Sequence, residues 1–289
     1  MNLVHSPDSL PTAPVISVVT VVRNAEPVIE ATIRSVVAQD YPRVEYVVID
    51  GASTDGTLAI IRGYRADIAV LRTEPDTGIY DAMNKGAALA TGDWVIFMNA
   101  GDAFHSPHAL TDIRALLDGD SDVICCATEK VRADDVETRR FNVAPGSLDT
   151  LWRSMPTSHQ AILVRRELQQ RYRFDDSYRW CADHDLLLRL YRDGKRFVTT
   201  NQPLCIFDCA GGMVRDPMLY IRERWRLSEG AASLPRRLMQ FGGEWFHCAV
   251  WGRVVAWVRP LMSPALLRAL RKVRGTAGIP DPLKPVATR

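Results

Sequence analysis

The run Val15-Ile16-Ser17-Val18-Val19-Thr20-Val21-Val22 constrains the fold more than any other stretch of this chain. It is β-branched, almost continuously apolar and shorter than an ordinary helix, so it reads as a strand buried on both faces. Such strands belong to parallel sheets covered by helices. The next segments agree. A polar break, Arg23-Asn24-Ala25-Glu26, leads to Pro27, which suits a first helical turn, and Ile29, Ile33, Val36 and Val37 recur at helical spacing. Val44 to Ile49 is a second strand with Asp50 at its carboxyl end, and Gly51 to Thr57 turns into a second helix. A third strand, Ile68 to Leu71, precedes a loop and a helix from Ile79 to Ala90; Trp94 to Met98 is the fourth, ending at Asn99 and Asp102. Repeated units of this kind predict an α/β domain with a Rossmann-like, mostly parallel central sheet flanked by helices. Ligands of such sheets sit outside the carboxyl ends of the strands, where Arg23, Asp50, Asp76 and Asp102 fall.

The later chain is less regular. Strands are expected at Asp122–Thr128, Arg139–Val143 and Gln160–Val164, and two short ones within Phe197–Cys209, broken at Pro203. A helix is expected from Cys181 to Arg192, ended by Gly194. The 289 residues, 47% hydrophobic, can bury a core without disulfides. They divide into a flexible N-terminus (1–14), the α/β domain (15–215) and a helical, basic and aromatic C-terminal region (216–289). Charge is balanced, 36 basic against 34 acidic residues, so no nucleic acid partner is expected. The 6 cysteines form no C-x-x-C pair and read as reduced, buried thiols of a cytoplasmic protein. No apolar run approaches the roughly twenty residues of a spanning helix, and residues 1–14 lack the apolar core of a secretory signal.

Carboxylates at strand ends suit two tasks. One can accept a hydrogen bond from a nucleobase or ribose; another can hold Mg²⁺ or Mn²⁺ against a diphosphate. Asp50 fits the first and Asp102 the second. Each also has a plain structural reading, Asp50 as a turn residue and Asp102 as the cap of a helix beginning near Pro107.

Three segments in series sharpen the functional reading: Val47-Val48-Ile49-Asp50-Gly51-Ala52-Ser53-Thr54-Asp55-Gly56-Thr57, Asp76-Thr77-Gly78-Ile79-Tyr80-Asp81-Ala82-Met83-Asn84-Lys85-Gly86 and Gly92-Asp93-Trp94-Val95-Ile96-Phe97-Met98-Asn99-Ala100-Gly101-Asp102. Together they resemble glycosyltransferase family 2, in its bacterial polysaccharide and lipopolysaccharide branch, which includes colanic-acid-type transferases. The resemblance is strong over residues 15–104 and fainter to about residue 212. It implies the GT-A fold, a nucleotide-sugar-binding half (15–104), an acceptor half (105–215), a UDP- or GDP-linked donor, inversion at the anomeric carbon and a divalent metal. Carried over by position, Thr20, Val21 and Arg23 line the nucleotide pocket and Asp50 contacts base or ribose. Asp76, Asn84, Lys85, Asn99, Ala100 and Gly101 face the donor, and Asp102 holds Mn²⁺ or Mg²⁺. One departure matters. The family's metal motif carries two or three carboxylates, whereas Asn99-Ala100-Gly101-Asp102 carries one, so the diphosphate must supply much of the cation's coordination.

The segment Trp180-Cys181-Ala182-Asp183-His184-Asp185 resembles the one that holds the family's general base, which places Asp183 in that role and Asp185 next in line. An acid in the first turn of a helix is also favoured by the helix dipole alone. Ser158-His159-Gln160 matches a further family segment, with His159 facing donor phosphate, metal or acceptor, or serving as a satisfied structural residue. Gly211-Gly212 falls in an expected closing loop. Ile221-Arg222-Glu223-Arg224-Trp225 is distantly similar to the Gln-x-x-Arg-Trp of processive synthases, but isoleucine replaces the glutamine, which indicates single addition.

In the C-terminal region Arg236, Arg237, Arg253, Arg259, Arg268, Arg271, Lys272 and Arg274 are interleaved with Phe241, Trp245, Phe246, Trp251, Trp257 and Leu261. This composition suits peripheral contact with the inner membrane, and a lipid-linked saccharide acceptor would give that contact a purpose; a helical subdomain packed on its own aromatics suits it too. Two other classes stay open: a nucleotidyltransferase on a similar sheet, and a non-catalytic scaffold of a polysaccharide assembly complex. The missing G-x-G-x-x-G after the first strand argues against dinucleotide binding.

Overall fold

The computed structural model describes residues 13–117, 119–133, 138–208 and 216–246. Strand β1 (Ile16–Val22) is buried at every position, as its apolar run requires. Helix α1 (Glu26–Val37) follows with Pro27 in its first turn and buries Ile29, Thr32, Ile33 and Val36. Then come β2 (Val44–Asp50), α2 (Thr57–Gly63), β3 (Val70–Thr73), α3 (Ile79–Leu89), β4 (Trp94–Phe97) and the short β5 (Ala103–Phe104). Helices α4 (Ala109–Asp112) and α5 (Arg114–Leu117) lead to a long pair, β6 (Val123–Ala133) and β7 (Thr138–Val143). After β8 (Ile162–Arg165), α6 (Arg166–Tyr172) and α7 (Ala182–Arg192), β9 (Phe197–Asp208) completes the sheet.

The strand order is β3-β2-β1-β4-β8-β6-β9-β5, with β7 paired to β6 in a 9-stranded sheet. Strands β3, β2, β1 and β4 run parallel, the expected Rossmann-like half. Strand β8 is antiparallel to both neighbours, which turns the chain into the second half of the same sheet. The core joins Ile16 and Val18 of β1 to Ile29 and Ile33 of α1 and to Trp94 and Ile96 of β4. Helix α3 lies close on the sheet because Gly86 has no side chain; a Cβ there would strike Val19.

Three boundaries differ from the sequence reading, each for a local reason. Residues Arg65–Asp67 form a 3₁₀ turn, which delays the third strand from Ile68 to Val70. Residues His159–Ala161 form another, so β8 starts at Ile162 and not at Gln160. Strand β9 is not broken at Pro203. The β6–β9 ladder instead shifts register on either side of the Ala127–Pro203 pair, and a proline is tolerated where the ladder is already interrupted.

Cys125, Cys126, Cys181 and Cys205 are buried, in keeping with the reading of buried thiols. Burial pushes the thiols of Cys125 and Cys205 up to about 12.

The chain divides into two units, residues 1–213 and 214–289. Within the second, α8 (Pro217–Leu227) and α9 (Leu234–Phe246) form a hairpin. Arg224 bonds Glu244 at 2.6 Å and lies over the Phe241 ring, while Trp225 meets Phe241 edge-on and is covered by Arg237. The Ile221–Trp225 segment thus holds this hairpin together. No helix among the described residues is long and apolar enough to cross a membrane. Arg253, Arg259, Arg268, Arg271, Lys272, Arg274, Trp251, Trp257 and Leu261 lie outside the described residues, as do Gly211 and Gly212.

Candidate active site

The loops after β1 and β2 meet at the carboxyl edge of the sheet and are knitted together. Asn24 and Ala52 both adopt left-handed backbone (φ 48° and 56°). An alanine there is strained, and strain of this kind gathers at functional loops. The Asn24 amide donates to Ser53 Oγ at 2.9 Å, and Thr54 N donates to Asn24 Oδ1 at 2.8 Å. Gly51 lets Asp76 sit directly over the turn, because a Cβ at that position would collide with the Asp76 carboxylate. Arg23, 61% exposed, stands 4.0 Å from Asp76 and forms with it a charged rim.

Several expected donor contacts take other partners. Asp50 has no exposed surface; its carboxylate accepts from Ser53 N at 3.2 Å and shapes the turn, so the turn reading holds in this conformation. Thr20 is likewise fully buried, donating to Met98 O at 2.7 Å and meeting Tyr46 Oη at 3.1 Å, so it ties neighbouring strands together. Val21 is buried, and its carbonyl accepts from Ala100 N at 3.2 Å, which holds the Asn99–Asp102 loop to β1. Asn84 spends both amide atoms on the Phe174 backbone, donating to its carbonyl and accepting from its N–H at 2.9 Å each. Lys85 binds Pro75 O at 2.8 Å, Asp81 at 3.0 Å and Glu74 at 3.4 Å, which uses up the three donors of its ammonium. Asn84 thus ties α3 to the segment that follows α6, and Lys85 ties α3 to the loop before it.

The loop from Asn99 to Asp102 is built for one carboxylate. Gly101 takes a φ of 99°, a conformation that favours glycine, and its N–H donates to Thr32 Oγ1 at 2.9 Å. That hydroxyl in turn donates to Asp102 O at 2.8 Å. Asp102 caps no helix. Its Oδ1 accepts from Gln160 Nε2 at 2.7 Å, and its Oδ2 lies 4.0 Å from His159 Nε2. Burial pushes the Asp102 carboxyl above the usual range, opposed by the charge of His159 and the Gln160 hydrogen bond.

On the facing side, the first turn of α7 presents Asp183. Its Oδ1 accepts from Tyr80 Oη at 3.2 Å and from His184 N at 2.8 Å; its Oδ2 lies 3.7 Å from His159 Nδ1. Asp185 is engaged in a 2.7 Å pair with Arg189 one turn along the helix. Met83, Phe97, Phe174 and Leu187 wall a cavity of about 20 Å³ that Asp183 and His159 also line. A low-dielectric wall of this kind strengthens the interactions of both groups.

The 3₁₀ turn before β8 therefore sets His159 between Asp102 and Asp183 and sets Gln160 against Asp102. Two buried acceptors here, Asn99 Oδ1 and Gln160 Oε1, have no hydrogen-bond donor. Exchanging the Gln160 amide atoms would put oxygen against the Asp102 carboxylate, so its orientation is determined. Among the described residues no three His, Cys, Asp or Glu side chains gather as a metal cluster. The Asp102 carboxylate and the amide oxygens of Asn99 and Gln160 are hard donors that would suit Mg²⁺ or Mn²⁺, with His159 the nitrogen beside them. Sequence reasoning missed Gln160 and Tyr80, although each lies inside a segment it had singled out.

The fold and this edge define a glycosyltransferase of the GT-A class. The Glycosyl transferase family 2 profile matches residues 17–216, and the chain belongs to that family. An uncharacterized glycosyltransferase of Mycobacterium tuberculosis is 40% identical over 108 residues, a match covering 37% of this chain and 41% of that relative's length. The PGL/p-HBAD biosynthesis glycosyltransferase of the same organism is 31% identical over 188 residues, 62% of this chain and 70% of that one. Among solved structures, the mannosyltransferase PcManGT from Pyrobaculum calidifontis, in complex with GDP-Man and Mn²⁺, superposes with a TM-score of 0.59. It is 20% identical, and the match covers 92% of this chain and 81% of that one, a likeness of fold.

Proposed function

We propose that this chain is an inverting transferase. It moves one sugar from a nucleotide-diphospho-sugar to a hydroxyl of a glycan or lipid-linked saccharide, in bacterial exopolysaccharide or lipopolysaccharide assembly. The position of His159 carries the reading: a single imidazole separates Asp102, at the donor edge, from Asp183, in the acceptor half. A sugar held beside that imidazole has a carboxylate suited to a metal on one side and a carboxylate suited to a base on the other. Asp102 would hold the cation, and Asn99 and Gln160 would offer it their neutral amide oxygens. When bound, Mn²⁺ or Mg²⁺ neutralises charge on the departing diphosphate. Arg23 adds a cation at the rim, and Asp76 beside it is placed to accept from donor hydroxyls. Asp183 takes the acceptor's hydroxyl proton as that oxygen bonds to the anomeric carbon; the carbon–diphosphate bond breaks on the opposite face, and the nucleoside diphosphate leaves with the electron pair.

Melting the protein with UDP-N-acetylglucosamine, UDP-glucose or GDP-mannose, each with Mn²⁺, tests the donor site. At a hundredfold excess over its dissociation constant the right donor contributes about 2.7 kcal/mol, a rise of roughly 5–10 °C. No rise with any nucleotide sugar tested would count against the reading.

A second reading concerns α9. Leu234, Leu238, Met239, Trp245 and Phe246 are each more than half exposed, and Arg236 beside them is exposed too. Apolar side chains and rings next to an arginine suit the surface of an anionic bilayer. The protein is expected to sediment with phosphatidylglycerol vesicles, and the Trp245→Glu, Phe246→Glu double variant to stay largely in the supernatant. Equal sedimentation of the two would remove α9 from any membrane role.

A further inference from the structure

The mechanism leaves unexplained how Asp183 holds its orientation when the hydroxyl proton arrives. Its Oδ1 has two partners of different origin. One is the N–H of His184, the next residue in α7. The other is the phenol of Tyr80 at 3.2 Å, which lies in α3, 103 residues earlier in the chain.

We propose that Tyr80 is a positioning residue for the Asp183 carboxylate: it holds Oδ1 and so leaves Oδ2 as the oxygen that takes the acceptor's proton. This rests on Asp183 being the base. The phenol is well suited to the task. Tyr80 is 8% exposed, and its ring packs against Phe174 at 5.5 Å between centroids. Phe174 is itself fixed by the paired backbone hydrogen bonds of Asn84, one helical turn along α3 from Tyr80. The ring therefore has little freedom, and the hydroxyl meets the carboxylate from a fixed direction. Burial, and next the charge of Asp183, push the phenol well above its ordinary range, which keeps it a donor at every working pH. With Oδ1 occupied from two sides, the remaining basic oxygen is Oδ2, the one that faces His159. The arrangement also links the halves of the site. Helix α3 begins directly after Asp76-Thr77-Gly78, the donor-side loop, so the residue that sets the base belongs to the donor half.

Tyr80→Phe removes the hydroxyl alone. The ring contact with Phe174 stays, and Asp183 Oδ1 keeps the His184 N–H, so the melting temperature is expected to stay within about 2 °C. The probe reaction is hydrolysis of UDP-N-acetylglucosamine and GDP-mannose with Mn²⁺, water standing in for the acceptor and released nucleoside diphosphate being read. In Tyr80→Phe the kcat is expected to fall roughly tenfold with donor KM unchanged. In the Asp183→Asn background, adding Tyr80→Phe should change kcat by less than twofold, because the group it positions is gone. An unchanged kcat in Tyr80→Phe, or an equal tenfold loss in both backgrounds, overturns the proposal. If Asp183→Asn itself leaves hydrolysis untouched, the assignment of the base fails instead, and the two failures are distinguished.

Discussion

Asp183→Asn is expected to bind the nucleotide sugar as the wild type does and to transfer it 10²- to 10⁴-fold more slowly, the usual contribution of a positioned general base. That range corresponds to roughly 2.7–5.5 kcal/mol of barrier. Asparagine keeps an oxygen for Tyr80 and for the His184 N–H, so the first turn of α7 loses no partner at Oδ1. The substitution therefore removes the basic oxygen and little else. Comparison of kcat with donor KM across the two proteins checks it, since the loss should lie in kcat alone. Transfer at the wild-type rate would displace Asp183 from the mechanism. Asp185 would be a poor replacement, being held by Arg189.

Asp102→Asn is expected to act earlier, on the donor itself. The loop carries a single carboxylate, and its other oxygens near the site are neutral amides. Removing that charge leaves Mn²⁺ without its one anionic protein ligand, so the Mn²⁺-dependent rise in melting temperature with nucleotide sugar should disappear. The transfer rate should fall by roughly 10²-fold or more, the loss of several kcal/mol of charge stabilisation at the diphosphate. Asparagine can still accept from Gln160, so the loop itself should persist. A metal motif richer in carboxylates would tolerate this substitution better; with one, the effect should be near complete.

The parallel half of the sheet and its functional edge were legible because their signals are local. Apolar runs of strand length, proline at a helix start and carboxylates at strand ends are all read within a few residues. Arg23 pairs with Asp76, and Asp102 lies beside His159. What was not legible is which partner a polar side chain meets, and several of those partners lie far along the chain. Asn84 and Lys85 sit in a motif that points to the donor, yet Asn84 meets the backbone of Phe174, 90 residues away. Lys85 is drawn instead to carboxylates of its own loop and helix. Thr20 alternates with its neighbours as any strand residue does, and its hydroxyl points to Tyr46 and Met98 across the sheet. Tyr80 and Gln160 gain meaning only when α3 and the turn before β8 are brought to the two acids. Pro203 reads as a strand breaker from sequence because its tolerance depends on the register of β6.

The central claim is that Asp102 serves the donor and Asp183 serves the acceptor across one imidazole. Calorimetric titration of a nucleotide sugar with Mn²⁺ into wild type, Asp102→Asn and Asp183→Asn tests it most directly. The account predicts equal binding by wild type and Asp183→Asn and at least tenfold weaker binding by Asp102→Asn. Equal binding by all three proteins, or the loss falling on Asp183→Asn, would contradict it.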